Sequence, residues 1–485
     1  MKNIKGGLAV KAARMFALAL IICICALYSV RAEDKVTLTV WDYFVAQSKY
    51  YDNEIRLFQE KYPWIEVKRV KQVQTRYKTL VELAARSDNL PDLYFPRSSN
   101  IIDDITCGWV IPMDKWATPE WKKRFPKGSF TEGIHIFNGK IYCLPFEQPY
   151  VWHQLYINRK VFREAGLTDK NGNVLRPKTW TEYRSFAKTV TQKGRGKFWG
   201  VGIAGKPDHL FVHAYLEWAR WAGAAGGDHV EPLEMDYRKG RYTFDNPAYV
   251  QVLQLLLNIK KDGSIIPNFL SIDDETMKVM FADGKIGMIL GGIWNQKGWE
   301  TTHPGWYDYD CVPEPAPDGK GYRAMQTVIA EPRMYLMSKN CKYPDAAWLF
   351  LDWITSFDAG ARWVKGGYGI SVYPAANTRE NAKTEQFAQY LKICTDFLRW
   401  APNPMARNSA LAMLKLDRPT PSREEVFWGI MSGELKDVPG EMKKLNGRYN
   451  AQLESAIKKL QEQGYNVGMK DLLFPDWNPM ENYGQ

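Results

Sequence analysis

Short runs of β-branched and apolar residues alternate along this chain with stretches in which apolar residues recur at helical spacing. Valine and leucine alternate with threonine over 36–40, which predicts a strand with one buried face. Helical spacing follows over 53–62, a second strand is predicted over 65–70, and a helix over 77–85 precedes a short strand over 92–95. Repeated units of this kind predict an open α/β sheet, in which ligands collect beyond the carboxyl ends of the strands.

The same alternation continues through the middle of the chain. Strands are predicted over 141–145, 154–157, 198–203, 286–290 and 328–337, and helices over 160–165, 177–191, 210–221, 248–261 and 345–355. Thr179 and Glu182 have the spacing of a capping box, and Asp245 is suited to cap the helix over 248–261. Helical spacing predominates from the end of this region to about residue 463.

Three breaks interrupt the pattern. The segment 146–153 is both polar and aromatic, 312–321 is rich in proline and glycine, and 366–369 contains three glycines. The 453 residues after position 32 are more than one hydrophobic core usually serves, so two or more lobes are expected. A connection with the composition of 146–153 would line a cleft between them.

The first 32 residues have the composition of a secretory signal peptide. An apolar run over 15–30 follows four basic residues, and Val30 and Ala32 supply small side chains for cleavage after Ala32. A retained membrane anchor is disfavoured because the run is shorter than the roughly 20 residues that span a bilayer. Lipidation at Cys23 or Cys25 is disfavoured, because each cysteine follows an isoleucine rather than a small residue. We therefore expect an exported protein, in the periplasm or at the outer face of the cytoplasmic membrane.

Charge and cysteine content narrow the function further. Removing the five basic residues of 1–32 lowers the formal net charge from +11 to +6, and no basic run is interleaved with aromatics, which disfavours nucleic-acid binding. Five widely spaced cysteines remain, without a CxxC pair, so no zinc site is expected and any disulfide pairing stays open. We expect neither a metal nor a cofactor.

Tryptophan is abundant, at 19 residues, which is more than hydrophobic cores usually need. Indole faces can cover the apolar C–H faces of sugars while polar groups pair with the hydroxyls. No nucleophile elbow, HExxH or Walker A motif occurs, and the pair His209 and His213 lacks the carboxylate partner of a catalytic motif, which disfavours a catalytic role for it. A glycosidase that uses carboxylates among Asp42, Glu147 and Asp208 is the enzymatic alternative, but binding is favoured.

Eight segments, in this order, resemble the extracellular solute-binding proteins of ABC importers, in the sugar-binding branch that includes maltose-binding protein. They are 36–44, 90–95, 138–147, 155–167, 177–188, 244–258, 281–295 and 344–356. The resemblance implies a monomer with two α/β lobes that close on a ligand and deliver it to a membrane permease. It also implies discontinuous lobes, one of 33–146 with 313–367 and the other of 147–312 with 368–485.

Positions that match the family's ligand contacts lie in loops after predicted strands, in the crossing segment 146–153, at the break 366–369 and near the C-terminus. From the resemblance we expect the ligand to be bound by Trp41, Asp42, Tyr43, Phe44, Arg97, Ser98, Ser99, Gln148, Tyr150, Trp152, Asp208, His209, Trp294, Tyr368 and Trp428. Pro96 and Arg97 stand where maltose-binding protein has an aromatic residue, so the details of that subsite do not carry over. Arg97 and Lys206 would suit an anionic solute such as a glycerophosphodiester, which is the alternative cargo.

Overall fold

The computed structural model describes residues 35–97, 100–206, 209–227, 234–320, 325–327 and 334–483, with backbone only for 209–211 and 325–327. The predicted signal peptide lies outside this part of the chain. No helix in these ranges is both long enough and apolar enough to cross a membrane.

Two four-stranded sheets organise the structure. Within the described residues the strands are β1 Val36–Asp42, β2 Ile65–Lys71, β3 Leu93–Tyr94, β4 Ile136–Phe137, β5 Lys140–Ile141, β6 Gln154–Asn158, β7 Trp199–Gly202, β8 Ile286–Gly291, β9 Tyr309–Val312, β10 Met325–Thr327, β11 Leu336–Met337 and β12 Leu398–Trp400. The first sheet has the order β11-β3-β1-β2 and the second β7-β8-β6-β9. We call the parts built on these sheets the first and the second lobe.

The first sheet is parallel apart from its short edge strand. β1 runs parallel to β2, with Val36 opposite Ile65 and Asp42 opposite Lys71, and also parallel to β3, while β11 is antiparallel to β3. Along β1 every second residue from Leu38 is buried, as the sequence pattern predicts. The carboxyl ends of β1 and β2 therefore lie at the same edge, and the loops that follow them share one rim.

The second sheet is mixed. β7 is parallel to β8, whereas the central strand β6 is antiparallel to both β8 and β9. All five residues of β6 are buried, which is expected of a strand covered on both faces. The end of β8 leads directly into the glycine pair that precedes Trp294.

Helices cover both sheets. They are α1 Ser48–Lys61, α2 Gln74–Arg86, α3 Ile102–Thr106, α4 Pro119–Lys122, α5 Arg159–Glu164, α6 Trp180–Gly194, α7 His209–Trp221, α8 Pro247–Lys261, α9 Asp274–Ala282, α10 Trp294–Thr302, α11 Pro344–Ile354, α12 Phe357–Lys365, α13 Glu385–Phe397, α14 Pro404–Arg407, α15 Arg423–Ser432 and α16 Val438–Glu462. Short 3₁₀ helices occur at Phe269–Ser271, Pro374–Ala376, Ser409–Met413 and Met469–Leu472.

Local signals in the sequence account for several element ends. Thr179 caps α6 through its hydroxyl, as predicted, but the Glu182 carboxylate accepts the backbone N–H of Lys178 rather than that of the cap residue. Asn246, not Asp245, caps α8, because its side-chain oxygen reaches the N–H of Ala248 at 2.9 Å. The predicted strand over 328–337 is seen only as β11, and 328–333 lie outside the described residues.

The predicted turn near residue 138 forms the hairpin between β4 and β5. Asn138 and Gly139 both have positive φ, 51° and 74°, which is the geometry of the tight turn that asparagine followed by glycine favours. The hairpin precedes the segment 146–153, which leads from the first sheet to β6 of the second. The predicted lobe boundaries at 146, 312 and 367 stay predictions, although each sheet draws its strands from the segments expected for one lobe.

Candidate functional site

An open pocket lies between the two sheets, with a volume of about 480 Å³ that includes space open to solvent, and we call it the central cavity. Its wall combines residues after β1 and in α1 and α12 of the first lobe with residues after β8 and in α13 of the second. The segments 146–150 and 368–369 complete it. The lining residues are Phe44, Gln47, Tyr51, Phe146, Glu147, Tyr150, Ile293, Trp294, Trp363, Tyr368, Gly369 and Tyr390.

A buried ion pair holds the loop after β1 in place. The fully buried Asp42 carboxylate accepts hydrogen bonds from Arg69 Nε at 2.6 Å and Nη2 at 2.7 Å, and from the Tyr335 hydroxyl at 2.7 Å. It also accepts the N–H of Phe44 at 3.0 Å, while Arg69 donates to the Phe44 carbonyl at 2.8 Å. Asp42 and Arg69 thus fix Phe44 from both sides and set its ring against the central cavity.

The first-lobe wall is a cluster of aromatic rings that pack on one another. Phe44 stacks on Tyr51 with a centroid distance of 5.6 Å, and Trp363 lies 5.1 Å from Phe146 and 5.2 Å from Tyr368. Edge-to-face and offset contacts of this kind stabilise aromatic clusters beyond simple burial. The rings therefore form a continuous surface that needs no ligand to hold it together.

Glu147 is the acidic residue of this wall. Its carboxylate is buried and accepts the Trp363 indole N–H at 3.0 Å. A Cβ atom at Gly369 would lie 2.2 Å from the Glu147 carboxylate, so only glycine allows this approach. The glycine-rich break at 366–369 thus brings the connecting backbone against the cavity.

On the second lobe, Trp294 begins α10 one residue after the glycine pair. Its ring lies 5.9 Å from that of Trp152 and 5.7 Å from that of His153, and Trp152 in turn lies 5.2 Å from Tyr150. Tyr150, Trp152 and His153 belong to the connecting segment. The aromatic surface is therefore continuous from this segment to the end of the second sheet. Trp294 lines the central cavity and a second cavity as well.

Lys297 and Tyr368 meet beside the central cavity. The Lys297 ammonium lies 4.7 Å from the centre of the Tyr368 ring and 2.7 Å from the Glu300 carboxylate. Burial lowers the pKa of Lys297, although Glu300 opposes the shift. Burial likewise raises the pKa of the Tyr368 hydroxyl, and Glu300 adds to the effect. One acidic partner therefore already neutralises the nearest cation.

The second cavity lies within the second lobe at the carboxyl ends of β7 and β8, and its volume of about 580 Å³ includes space open to solvent. The rest of its wall comes from α6, α7, α8 and α9, the start of α10, and His153 of the connecting segment. Rings of Tyr183, Tyr215, Trp218 and Trp294 face it together with aliphatic side chains. His153 and Asp274 are the strongly polar side chains among the lining residues.

The structure brings only some of the predicted contacts together. Phe44, Tyr150, Trp294 and Tyr368 line the central cavity. Trp152 packs beside it on two of these rings, Tyr43 packs on the Phe44 ring at 4.9 Å, and Gln148 lies half-buried in the same connecting segment.

Other predicted contacts lie elsewhere. Asp42 is enclosed as described, and Trp41 is half-buried in β1. Arg97 pairs with Asp104 at 2.9 Å and Glu82 at 2.8 Å, and only 7% of its side chain is exposed. These contacts neutralise the cation that an anionic solute would need.

Trp428 is half-buried on α15 and is not among the lining residues of either cavity. Ser98, Ser99 and Asp208 fall outside the described residues, as does the side chain of His209. All of these stay predictions as ligand contacts. Lys206, the other residue considered for an anion, is exposed.

Several cavity residues escaped the sequence analysis. Trp363 and Tyr390 lie on helices α12 and α13, where an aromatic residue at helical spacing is usually part of the core. Gln47 lies in the loop after β1 and Tyr51 in the first turn of α1, and this closeness to the end of a strand was the available signal. No group of His, Cys, Asp and Glu suited to holding a metal ion occurs among the described residues.

Comparison with known proteins identifies relatives along most of the chain. Residues 55–390 match the family model described as bacterial extracellular solute-binding protein. A protein of Brucella abortus (strain 2308), described as a binding protein, is 24% identical over 368 residues, which is 75% of this chain and 81% of that protein.

Solved structures share the fold. An ABC transporter solute-binding protein from Thermotoga lettingae, bound with α-D-tagatose, superposes with a TM-score of 0.65 at 20% identity, over 86% of this chain and 100% of that one. The GacH receptor of Streptomyces glaucescens, solved unliganded and with acarbose, gives a TM-score of 0.64 at 17% identity, over 86% and 99% of the two chains. The predicted two-lobed α/β fold is therefore confirmed.

Proposed function

This chain belongs to the bacterial extracellular solute-binding proteins, and from that membership we propose that it is the receptor of an ABC importer for a carbohydrate, specifically an oligosaccharide. The ligand binds in the central cavity between the two lobes. Members of this family bind solutes rather than convert them. The observation that carries the proposal is the aromatic wall of the cavity, to which both lobes and the connecting segments contribute.

The composition of this wall suits sugar rings. Trp294 and Tyr150 face the cavity from the second lobe and the connection, and Phe44, Trp363 and Tyr368 face it from the other side. Flat rings bury the C–H faces of a pyranose, while a small number of polar groups fix its orientation. Gln47 and the Glu147 carboxylate are the candidates for hydrogen bonds with hydroxyls.

The relatives support the same class of ligand. The Thermotoga protein was solved with tagatose and the Streptomyces receptor with acarbose. An anionic cargo is less well supported, because Arg97 already pairs with Asp104 and Glu82, and Lys297 with Glu300. A cavity with few free cations and many aromatic rings favours a neutral saccharide.

Closure would couple binding to transport. The central cavity has walls from both lobes, so a saccharide that contacts both walls stabilises the closed arrangement by its differential affinity for it. We propose that a membrane permease recognises the closed, loaded form. In the same proposal the protein is a monomer, exported through a signal peptide cleaved after Ala32.

A thermal-shift and calorimetric screen of oligosaccharides tests the proposal. We expect at least one sugar to raise the melting temperature, because a ligand that binds only the folded state stabilises it. Chromatography of the incubated sugar should show no shortening. Sugar cleavage, or the absence of any saccharide that binds, would overturn the proposal.

Trp294→Ala sharpens this test. Loss of a buried aromatic anchor should weaken sugar binding by more than about 1 kcal/mol. Trp64→Ala is the matched control, since Trp64 is half-buried at the start of the first sheet and lines neither cavity. Unchanged affinity in Trp294→Ala, measured by calorimetry, would remove Trp294 from the site.

A further inference from the structure

Residues 403–415, which we call the strap, lie beyond the part of the chain that matches the family model. The chain enters the strap from α13 through β12 and leaves it toward α15. Gln389 of α13 accepts the backbone N–H of Cys311 in β9 at 2.8 Å. The Lys260 ammonium of α8 donates to the Met431 carbonyl of α15 at 2.6 Å. Both neighbouring helices are thus fixed to the second lobe, so the strap is attached covalently to that lobe at both ends.

Polar contacts also hold the strap on the C-terminal segment 466–483. Asn408 Nδ2 donates to the Asn466 carbonyl at 2.8 Å, and Arg407 Nη1 donates to the Leu473 carbonyl at 2.6 Å. This segment follows α16, which packs on α8 of the second lobe. The strap therefore moves with the second lobe.

The other side of the strap contacts the first lobe. Asn403 Nδ2 donates to the Glu132 carbonyl at 3.1 Å, and Asn100 Nδ2 donates to the Ala412 carbonyl at 2.7 Å. Asn100 lies in the loop after β3, at the carboxyl edge of the first sheet where the loop after β1 also lies. The strap thus meets the first lobe at the rim that faces the second lobe.

An apolar contact and an ion pair add to these two hydrogen bonds. Met405 is buried, and a Cβ atom at Gly133 would lie only 2.5 Å from its sulfur, so the side chain packs directly on the backbone of the first lobe. The Lys415 ammonium pairs with the Asp103 carboxylate, and both side chains are exposed. Exposed ion pairs contribute little. The amide hydrogen bonds and the Met405 contact therefore provide most of the attachment to the first lobe.

The lobes cannot separate at this rim while these contacts persist. Because the strap is attached to the second lobe at both ends, separation breaks its contacts with the first lobe. Contacts that exist only in the closed arrangement stabilise that arrangement relative to the open one. We propose that the strap is a latch that holds the two lobes closed, so that a bound saccharide is released only when the strap leaves the first lobe. This inference rests on the proposed carbohydrate function, and it assigns a role to residues outside the matched family segment.

Asn100→Asp and Asn403→Asp break the latch with little change elsewhere. The side-chain oxygens of Asn100 and Asn403 accept the backbone N–H groups of Ile102 and Met405, each at 3.0 Å. An aspartate keeps these local acceptors. It loses the N–H donor, however, and places a negative charge against the carbonyl oxygen across the contact. Both variants therefore weaken the contact between the strap and the first lobe.

Stopped-flow tryptophan fluorescence measures how fast sugar leaves the loaded protein. The probe is the oligosaccharide with the largest melting shift in the screen above, which includes maltotriose, raffinose and xylotriose. Each single variant should release it about two- to tenfold faster than the wild type, the usual contribution of one hydrogen bond. The double variant should show the product of the two effects, because the two sites share no partner. Association should change less than dissociation.

Asn381→Asp is the matched control. Its Nδ2 atom donates to the Ala376 carbonyl at 2.9 Å, so the same chemical change breaks a bond within one short segment. This variant should release sugar at the wild-type rate, and melting curves without sugar show whether each variant is folded. Small-angle X-ray scattering of the sugar-free protein gives a readout that needs no ligand. The double variant should have a larger radius of gyration than the wild type, because its lobes separate more often.

The outcomes separate the latch from the proposed function. If a saccharide binds, its dissociation rate decides, and an unchanged rate in the folded double variant overturns the latch but leaves the carbohydrate function in place. Faster release in only one of the two single variants would assign that residue to a sugar contact and would also overturn the latch. If no saccharide binds, the proposed function fails and the radius of gyration decides, with equal values in the double variant and the wild type overturning the latch as well.

Discussion

Replacement of Asp42 by alanine tests whether this residue holds the cavity wall or contacts the ligand. The variant removes all four hydrogen bonds that the carboxylate accepts and leaves the Arg69 guanidinium, whose side chain is only 4% exposed, without its main partner. The remaining acidic partner, Asp52, is 59% exposed and lies 3.2 Å away, and the Phe44 carbonyl, at 2.8 Å, carries no charge. Breaking a buried ion pair by removing one member typically costs about 3–5 kcal/mol.

We expect a loss of this size in the free energy of unfolding of Asp42→Ala, because an uncompensated buried charge outweighs the hydrogen bonds themselves. Tyr335→Phe deletes one of the four bonds and should cost about 1.5–3 kcal/mol, the usual range for a hydrogen bond to a charged group. Urea unfolding followed by circular dichroism at pH 7 gives both values by linear extrapolation.

Glu60→Ala is the control, because Glu60 lies at the surface of α1 and pairs with the exposed Arg56. Its unfolding midpoint should match that of the wild type. A loss below about 1 kcal/mol in Asp42→Ala would refute the scaffold role. If such a stable variant also lost sugar binding, Asp42 would instead be a direct ligand contact, as the resemblance to the sugar-binding proteins implied.

Three further variants test other buried polar groups, each by urea unfolding. Burial lowers the pKa of His135 from 6.5 to about 3, so only the unfolded chain takes up a proton as the pH falls below 6.5. The free energy of unfolding of the wild type should therefore fall by about 1.4 kcal/mol per pH unit below pH 6.5. His135→Gln should not show this loss. Burial, reinforced by Glu217, raises the pKa of Glu314, so the free energy of unfolding should fall as the pH rises above 4.5. Glu314→Gln should abolish that slope and be the more stable protein at pH 8. Equal slopes in the variant and the wild type would contradict the argument. Asn158→Ala should cost about 1–3 kcal/mol, since Asn158 caps α5 and donates to the Phe281 carbonyl at 2.7 Å; a change within error would show that water replaces both bonds.

Local patterns predicted most elements because strands and helices leave periodic signatures of burial. In β1 the buried residues alternate, and in the hairpin near Asn138 two consecutive positive φ angles require the residues that occur there. The site was harder to predict, since its aromatic residues look like core residues in sequence. Trp363 and Tyr390 show this, because only the packing of α12 and α13 turns their rings toward a cavity.

Partners distant in sequence account for the other differences. Asp42 was expected at a rim, but Arg69 and Tyr335, 27 and 293 residues away, enclose its carboxylate. Glu217 lies 64 residues from His153 and orients its ring. Neither pairing leaves a signal in the neighbouring sequence. A carboxylate after a strand therefore has the same local sequence whether it binds a ligand or anchors a loop.

The mutual packing of the cavity rings has a consequence for the energetics of recognition. Trp363 is held by Tyr50, Tyr51, Phe146 and Tyr368, all with centroid distances below 6.5 Å. Side chains that are already immobile lose little rotamer entropy when a ligand binds. This preorganisation lets modest stacking contacts produce useful affinity. It also excludes ligands of a different shape, because rings that are packed on one another cannot rearrange to accommodate them.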